Sequence, residues 1–452
     1  MHFTDLNRAE DIGSNCYLIE LGPFKVLVDA GIHPKRVGMQ ATPQLELLSN
    51  VTLDFIILTH CHLDHVGSLP LIAARQPQAT VLTTYPSQMI APRILQNSVQ
   101  VMKYQREDFD IAEYPLYTRV EIDELARRFI AVPFGKSRSY SKQGETIEIT
   151  FYPAGHVVGA AGVLINYKHR KIFLTSDVLF RDQVTLSGAD FPQLPCDTLI
   201  LETTRGMTPP NPDRTRVSEI DRLLETIITT LNQGGACLIP VFALGRMQEI
   251  IAILYAAYKE GLLPRVPIFA SGLGLALVDY FDEIARKSNL MNFRRKMLLE
   301  LRVKPVRERL NPGENVQGPG IYLLSSGMVV EHTPAYLAAA AMIAYPKNSI
   351  CFVGYCDPDT PGGMIQRAKP GDPAYFKTLD YTATVRAKVD RFDLSGHADR
   401  DELVAFAQEA NPRAVILTHG DPDARAWFMH ALQEALPTAD IINPEPGKCL
   451  DI

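Results

Sequence analysis

The chain has 452 residues, of which 46% are hydrophobic and 21% are charged, and its formal net charge is -6. These values are typical of a folded globular protein of two or three domains, and they exclude a largely disordered chain. The negative charge also excludes a uniformly basic surface for unselective nucleic-acid binding, although it leaves local phosphate contacts open.

The N-terminal part of the chain alternates apolar, β-branched runs with turn signals, which predicts short strands. We predict strands at residues 16–21, 25–29, 54–59, 145–153, 162–167, 171–175 and 198–201, and helices at 68–75 and over roughly 86–131. Metal-binding residue types follow several of these strands, where loops on a rigid scaffold usually carry active sites.

The middle of the chain changes to regular strand–helix alternation, which is typical of a parallel sheet covered by helices. We predict strands at residues 236–243, 267–270, 320–324 and 349–355, and helices at 246–259, 275–287 and 334–344. The tail returns to short strands. We therefore expect an α/β protein in which residues 1–204 and 386–452 form one fold and residues 205–385 form an inserted domain.

A dense group of metal-ligand residue types follows the strand predicted at 54–59. His60, His62, Asp64 and His65 fall within six positions. Neutral imidazole and carboxylate groups suit zinc and similar divalent ions. A single histidine is more often structural, but four such residues in this order predict a metal site.

Later strands end close to further candidate ligands. His156 and Asp177 each follow a predicted strand. Asp177 is the best candidate to bridge two ions, because one carboxylate can offer an oxygen to each. Asp29 ends an earlier strand and is expected to orient a ligand imidazole from behind, although a simple strand-end cap explains it nearly as well.

The order and spacing of these residues resemble the ligand motif of the metallo-β-lactamase fold, which is an αββα sandwich. Three further segments resemble the motifs of the β-CASP family of RNA-processing nucleases: Glu202-Thr203-Thr204, Ser395-Gly396-His397-Ala398-Asp399 and Thr418-His419-Gly420-Asp421. Residues 240–246 and 354–356 are similar to parts of that family's inserted domain. The resemblance implies a metallo-β-lactamase αββα sandwich with an inserted parallel α/β β-CASP domain.

The resemblance also implies a site. In it, His60, His62 and His156 hold one zinc ion, Asp64, His65 and His419 hold a second, and Asp177 bridges them. The implied catalytic residues are His397, Glu202, Asp64 and Asp177. His397 would face the scissile phosphate and protonate the leaving oxygen, while Glu202 orients its imidazole. In this family a histidine at the position of His419 goes with RNA processing, so we expect RNA rather than DNA.

The implied reaction is hydrolysis of RNA phosphodiester bonds by a hydroxide held between two zinc ions, with manganese as an alternative metal. Single-stranded RNA would lie in a cleft between the domains, where Arg246 and Ser326 are candidate phosphate contacts. A tight turn explains Ser326 almost as well. A basic run could attract RNA, although a solvated helix face is the commoner explanation; it comprises Arg294, Arg295, Lys296, Arg302, Lys304, Arg307 and Arg309.

The seven cysteines form no CxxC pair, and residues 1–15 carry no secretory signal. We therefore expect a reducing cytoplasm and no membrane span. The chain also carries no KH-type extension and no long C-terminal domain of the RNase J kind, which implies a compact bacterial-type or archaeal-type member. A homodimer is left open.

Two other functions share part of this pattern. A small-molecule metallohydrolase acting on a thioester, lactone or β-lactam would need the first ligand cluster, but it would not need Glu202, His397 or a large insertion. A non-catalytic partner subunit would keep the fold, but such proteins typically lose ligands, and here every expected ligand is present.

Overall fold

The computed structural model describes residues 1–193, 195–306 and 310–452, which form two compact units. The first unit comprises Met1–Asp182, Leu186–Pro210 and His397–Ile452, and the second comprises Gln183–Thr185 and Asn211–Gly396. Arg307 and Arg309 of the predicted basic run lie outside the described residues.

The strands in chain order are β1 (His2–Asp5), β2 (Tyr17–Leu21), β3 (Phe24–Val28), β4 (Phe55–Ile57), β5 (Thr80–Thr83), β6 (Phe129–Ala131), β7 (Arg138–Lys142), β8 (Glu145–Pro153), β9 (Ala161–Tyr167), β10 (Arg170–Leu174), β11 (Thr198–Glu202), β12 (Ala236–Pro240), β13 (Ile268–Ala270), β14 (Lys304–Pro305), β15 (Gly320–Leu324), β16 (Ser349–Phe352), β17 (Pro373–Phe376), β18 (Tyr381–Thr384), β19 (Lys388–Arg391), β20 (Ala414–Thr418), β21 (Asp440–Ile442) and β22 (Cys449–Asp451).

The α-helices are α1 (Leu63–Val66), α2 (Leu69–Arg75), α3 (Tyr85–Phe109), α4 (Arg119–Arg128), α5 (Arg216–Asn232), α6 (Arg246–Lys259), α7 (Leu273–Ala276), α8 (Val278–Ser288), α9 (Arg295–Glu300), α10 (Pro334–Met342), α11 (Pro361–Arg367), α12 (Arg400–Ala410) and α13 (Pro422–Ala435). Short 3-10 turns lie at Gly38–Ala41, Leu45–Leu48 and Lys377–Leu379.

Two sheets form the body of the first unit. In the described residues their strand orders are β22-β1-β2-β3-β4-β5-β6 and β21-β20-β11-β10-β9-β8-β7. Apolar side chains of both sheets, among them Phe3, Ile57, Phe151 and Ile200, share one buried core. Helices α12 and α13 pack against the outer face of the second sheet through Leu403 and Phe428. Two stacked sheets with helices on the outer face of the second fit the αββα sandwich predicted from the sequence.

Alternation of side chains along the strands explains why the two sheets stack. In β8, Ile147, Ile149 and Phe151 are fully buried, whereas Glu148 between them is only partly buried. Since successive strand residues point to opposite faces, the apolar set faces the other sheet. The strands thus turn one apolar face inward and end in polar loops.

The helix predicted over 86–131 is wrong in its extent. Helix α3 ends at Phe109, and Asp110 follows it in the left-handed conformation with φ 52°. Thr118 then caps α4 in a reciprocal capping box with Glu121. Residues 129–131 are not helical but form β6, which pairs in parallel with β5. The capping and sheet-pairing signals outweigh the apolar helical pattern across this segment.

The second unit is built on a parallel sheet with the order β14-β13-β15-β12-β16-β19, so far as its residues are described. Helix α10 packs a row of buried alanines onto this sheet. Strand β19 belongs to the sheet although the sequence assigned residues from 386 onward to the other fold. The compact second unit ends at Gly396, and the family-domain boundaries after residues 204 and 385 stay predictions.

Among the residues that the structure describes, no helix combines the length and the apolar character needed to cross a bilayer.

Candidate metal centre

The candidate ligands of the first unit lie where strands end. Asp29 follows β3, His60 and His62 follow β4, His156 follows β8, Asp177 follows β10 and His419 follows β20. Glu202 is the last residue of β11. The two stacked sheets therefore deliver polar side chains, far apart in sequence, to one place.

The segment from 58 to 66 bends earlier than the sequence suggested. Strand β4 ends at Ile57, and His62 precedes the short helix α1, which contains Asp64 and His65. The strand predicted at 54–59 is therefore too long at its end, although His62 itself has extended backbone with φ −67° and ψ 149°. The imidazoles of His60 and His62 nevertheless meet, with His60 Nε2 3.3 Å from His62 Nδ1.

His156 is brought to the same place by a loop that only glycine allows. Gly155 has φ +71°, and a Cβ atom there would lie 2.3 Å from the carbonyl oxygen of Leu179. This close approach of two backbones requires the glycine. As a result, His156 Nε2 lies 3.1 Å from His62 Nδ1.

The first group of ligand atoms consists of His60, His62, His156 and Asp177, all within 4.8 Å of one another. Asp177 Oδ2 lies 3.5 Å from His60 Nε2 and 3.6 Å from His156 Nε2. Ligand atoms around a tetrahedral ion at 2.0–2.2 Å are about 3.3–3.6 Å apart. The spacing of these atoms is therefore that of a divalent-metal site.

The second group consists of Asp64, His65 and His419. Asp64 Oδ2 lies 3.3 Å from His419 Nε2 and 3.7 Å from His65 Nε2. The structure thus brings His419 next to Asp64, although the two residues are separated by most of the chain.

Asp177 adjoins both groups. Its Oδ2 lies 3.5 Å from His65 Nε2, and its Oδ1 lies 3.5 Å from His419 Nδ1. Asp177 is almost fully buried, and within the described residues its Oδ1 has no hydrogen-bond partner. A buried carboxylate oxygen without a donor needs a cation or another partner to offset its lost hydration.

Burial and the mutual charges set the protonation of the cluster. Burial alone would raise the pKa of Asp177, but His419, His65 and His60 hold that pKa well below its usual range. Burial and the neighbouring His65 lower the pKa of His60 well below its usual range. The cluster thus combines an ionised carboxylate with a neutral imidazole, the forms that bind metal.

Asp29 lies behind His65. Its Oδ2 accepts hydrogen bonds from His65 Nδ1 at 2.7 Å and from the Thr59 hydroxyl at 2.7 Å, while its Oδ1 accepts the Thr59 N–H at 2.8 Å. Metal binding requires His65 to be neutral, and a proton retained on Nδ1 would then leave the Nε2 lone pair for an ion on the side of Asp64 and Asp177. Burial would lower the pKa of His65, but the carboxylates of Asp177, Asp29 and Asp64 raise it well above its usual range.

His397 lies beside the metal-ligand cluster and contacts Glu202. His397 Nδ1 is 3.0 Å from Glu202 Oε2 and 3.1 Å from Oε1. Its ring centroid lies 4.5 Å from that of His156. Burial would lower the pKa of His397, but the negative charge of Glu202 raises it above the ordinary value. With Nδ1 facing Glu202, the opposite ring nitrogen, Nε2, can carry a proton for transfer.

Sequence reasoning missed the hydroxyl of Thr204 and the amide of Asn15. The Thr204 hydroxyl donates to Glu202 Oε2 and lies 2.8 Å from His419 Nδ1, so it connects the two motifs. Asn15 Nδ2 donates to the Asp64 carbonyl oxygen and lies 3.3 Å from His65 Nε2. The position of Thr204 directly after Glu202 was a signal for the first, but no local pattern identifies Asn15.

The two candidate substrate contacts lie in the second unit. Arg246 is the first residue of α6 and is 6% exposed, and its guanidinium donates to the Leu394 carbonyl oxygen and the Gln183 side chain. Ser326 follows β15, and its hydroxyl accepts the Val330 N–H at 3.0 Å. Their roles in phosphate binding stay predictions, and Arg246 would have to exchange protein partners to fulfil one.

In the basic run, Arg295 is exposed and pairs with Asp279 at 2.9 Å, while Arg302 and Lys304 are exposed.

Models of three protein families match successive parts of the chain. The metallo-beta-lactamase superfamily matches residues 9–219, the Beta-Casp domain matches residues 247–365, and the Zn-dependent metallo-hydrolase RNA specificity domain matches residues 382–443. The order of these matches, with the Beta-Casp domain in the middle, is the domain order expected from the sequence motifs.

Several proteins are similar along almost the whole chain. "Cleavage and polyadenylation specificity factor 73" of Drosophila melanogaster is 27% identical across 99% of this chain and 64% of its own length. "Endoribonuclease ysh1" of Schizosaccharomyces pombe is 29% identical across 93% of this chain and 54% of its own. "Integrator complex subunit 11 homolog" of Dictyostelium discoideum is 27% identical across 94% and 57%. This chain therefore spans less than two thirds of each relative.

A solved structure shares the fold. "Crystal Structure of a Protein of Unknown Function from Enterococcus faecalis V583" superposes with a TM-score of 0.55 at 12% identity, and the match covers 99% of both chains. At this identity the likeness extends to the fold alone.

Proposed function

Since the chain belongs to the metallo-β-lactamase superfamily and carries a β-CASP domain within that fold, we propose that it is a metal-dependent ribonuclease. The observation that best supports this proposal is that two groups of candidate ligands meet at Asp177, with the Glu202–His397 pair beside them. A site for binding divalent metal alone would not need a protonatable imidazole held at its edge.

The superfamily implies divalent metal, and the donor atoms fit it. Their separations of 3.1–3.6 Å in the first group suit tetrahedral coordination. Asp177 would help to hold both ions, and its Oδ1 has no hydrogen-bond partner in the described residues that would compete with a metal ion. We propose two zinc ions, with manganese as the alternative, because imidazole and carboxylate donors accommodate both.

A pair of divalent ions, when bound, supplies an activated water and neutralises charge that develops on a phosphoryl oxygen. The chain's own residues supply the remaining requirements. Asp29 fixes the ring orientation of His65, and Thr204 fixes that of His419. These contacts keep the donor atoms in place before substrate arrives, which lowers the cost of reorganisation.

His397 is the proposed proton donor. As the attacking water oxygen forms its bond to phosphorus, the bond from phosphorus to the sugar oxygen breaks, and His397 Nε2 transfers a proton to that departing oxygen. Glu202 holds the opposite nitrogen, and the Val178 N–H and the Thr204 hydroxyl in turn hold Glu202. The carboxylate therefore stabilises the charged imidazole in one orientation.

Three arguments favour RNA as the polymer. The matched C-terminal family is described as an RNA specificity domain, and relatives similar along this chain are described as endoribonucleases. His419 stands at the motif position where RNA-processing members of the family carry histidine. We therefore propose single-stranded RNA as the substrate.

The test is incubation of the purified, zinc-loaded chain with end-labelled single-stranded RNA and with a single-stranded DNA of the same sequence. We expect RNA cleavage that a chelator abolishes and that zinc restores. His397→Ala should lower the rate by about 10²–10⁴-fold at unchanged metal content. His169→Ala, in an exposed turn of the same unit, should cleave at the wild-type rate.

Hydrolysis of a thioester or lactone by a chain that leaves RNA intact would contradict the proposal in favour of a small-molecule hydrolase. Metal-free protein without any turnover would favour a non-catalytic subunit.

A further inference from the structure

Arg425, in the first turns of α13, is a fully buried arginine with 0% of its surface exposed. Burying a guanidinium is costly, so its partners indicate what it stabilises. Its Nε donates to the Gly420 carbonyl oxygen at 2.8 Å, and its Nη1 reaches the Leu417 carbonyl oxygen at 3.4 Å. These two carbonyl groups lie directly on either side of Thr418 and His419.

The opposite side of this turn is held by the segment after Glu202. The Thr203 hydroxyl donates to the Thr418 carbonyl oxygen at 2.9 Å, and the Thr203 N–H donates to that of His419 at 3.2 Å. A Cβ atom on Gly420 would lie 2.1 Å from the Thr203 hydroxyl, so the two backbones are in close contact. His419 itself adopts φ +48°. The turn is thus clamped between Thr203 and Arg425 in a conformation that most residues avoid.

Arg425 is also fixed from its far side. Its Nη1 donates to Asn443 Oδ1 at 3.2 Å, and the Asp5 carboxylate lies 4.0 Å away. Both Arg425 and Asp5 are fully buried. A planar guanidinium can reach several acceptors at once in fixed directions, which a lysine ammonium on its flexible chain does less well.

We propose that Arg425 is a positioning residue, which holds the turn that presents His419 to the metal centre. The inference rests on the proposed function, because it takes His419 to be a metal ligand. The described hydrogen bonds of Arg425 go to backbone carbonyl oxygens and to Asn443, not to the donor atoms of the candidate ligands. It acts through the backbone on both sides of His419, whose Nε2 lies 3.3 Å from Asp64 Oδ2.

The test is a zinc titration of the metal-free chain, read as bound ions per chain and as the affinity of each ion. Arg425→Ala should weaken binding of one ion by about 10–100-fold, the usual effect of removing a residue that supports a ligand. The other ion should bind with wild-type affinity. Arg425→Lys should give an intermediate loss, and it keeps the test decisive if the alanine variant does not fold.

Two control variants separate positioning from general destabilisation. Leu432→Ala removes a fully buried side chain from the same helix and lowers stability without touching the turn. Arg413→Ala removes an exposed arginine just before β20. Both should bind two ions with wild-type affinity.

Wild-type affinity for both ions in Arg425→Ala, or in Arg425→Lys if the alanine variant does not fold, would overturn the inference. An equal loss in Leu432→Ala would overturn it too. Wild-type protein that binds two ions but cleaves no RNA would contradict the proposed function and leave this inference standing. Wild-type protein that binds no metal would overturn both.

Discussion

Both carboxylate oxygens of Glu202 lie within hydrogen-bond distance of His397 Nδ1, at 3.1 and 3.0 Å. Two carboxylate oxygens around one imidazole nitrogen hold the ring in one orientation. The ionised carboxylate also favours the protonated form of the ring. Glu202 is itself held by the Val178 N–H at 2.7 Å. The pair therefore provides an oriented proton at the edge of the metal-ligand cluster.

Glu202→Gln should move the pH dependence of cleavage. Glu202 is the principal cause of the raised pKa of His397, so its neutralisation should lower that pKa. His397 donates only when protonated, and its activity is therefore lost as pH rises through its pKa. The alkaline limb of kcat should move to lower pH, because the variant loses the protonated imidazole at a lower pH than the wild type does.

The control for this change is Glu124→Gln on the exposed side of α4, which should retain the wild-type profile. An alkaline limb at the wild-type pH in Glu202→Gln would show that His397 is not the group that titrates.

Asp29→Asn should weaken metal binding through His65. The remaining carbonyl oxygen can still accept the Thr59 N–H, which turns the new NH2 group toward His65 Nδ1. His65 would then carry its proton on Nε2, where a ligand lone pair is needed. We expect a loss of affinity of about 10–100-fold for one ion, measured by competition with a chromogenic chelator.

Asp54→Asn provides the comparison, since Asp54 directly precedes β4 of the same sheet and pairs with Lys142 at 2.7 Å. If both variants bind metal as tightly as the wild type, Asp29 acts only as a strand-end cap.

Removal of metal should lower thermal stability. The ligand groups come from loops distant in sequence, so bound ions crosslink the folded state and stabilise it by about 2.7 kcal/mol at a concentration 100 times the dissociation constant. Chelation should lower the Tm of the wild type, and zinc should restore it. In Asp177→Asn the chelator should have almost no effect, because Asp177 adjoins both groups. An equal chelator effect in both proteins would place the ions elsewhere.

Arg246→Ala discriminates between a structural and a substrate-binding arginine. The guanidinium donates to Leu394 and Gln183, and its burial lowers the pKa to about 10. Loss of the side chain should cost about 1–3 kcal/mol for each buried acceptor left without a donor, measured by urea unfolding. Arg265→Ala, in an exposed loop of the same unit, should be neutral. A raised KM at wild-type stability would instead indicate phosphate contact.

The sequence predicted the fold class correctly because strand alternation and ligand spacing are local signals. The ligand types at residues 60–65 lie close together in the sequence and can be recognised there. The structure brings His156, Asp177 and His419 beside them. The sequence did not predict the helix end at Asp110 or the strand at Phe129–Ala131. Pairing with β5, which is distant in sequence, makes residues 129–131 a strand. The sequence did not predict the role of Asn15 for a similar reason, since its contact with His65 exists only in the folded chain.

Strand β19 shows the same limit in the second unit. Lys388–Arg391 is too short and polar to reveal its sheet from sequence, and its parallel pairing with β16 assigns it to the second unit. Local patterns thus identified the candidate metal ligands, whereas the partners that orient each side chain required the three-dimensional structure.

The most direct test of the metal centre is anomalous diffraction at the zinc edge from crystals grown with zinc. We predict a centre of two ions, seen as two peaks about 3.5–4 Å apart. One should lie within bonding distance of His60, His62 and His156, the other of Asp64, His65 and His419, and both of Asp177. A single peak, or peaks away from these side chains, would contradict it.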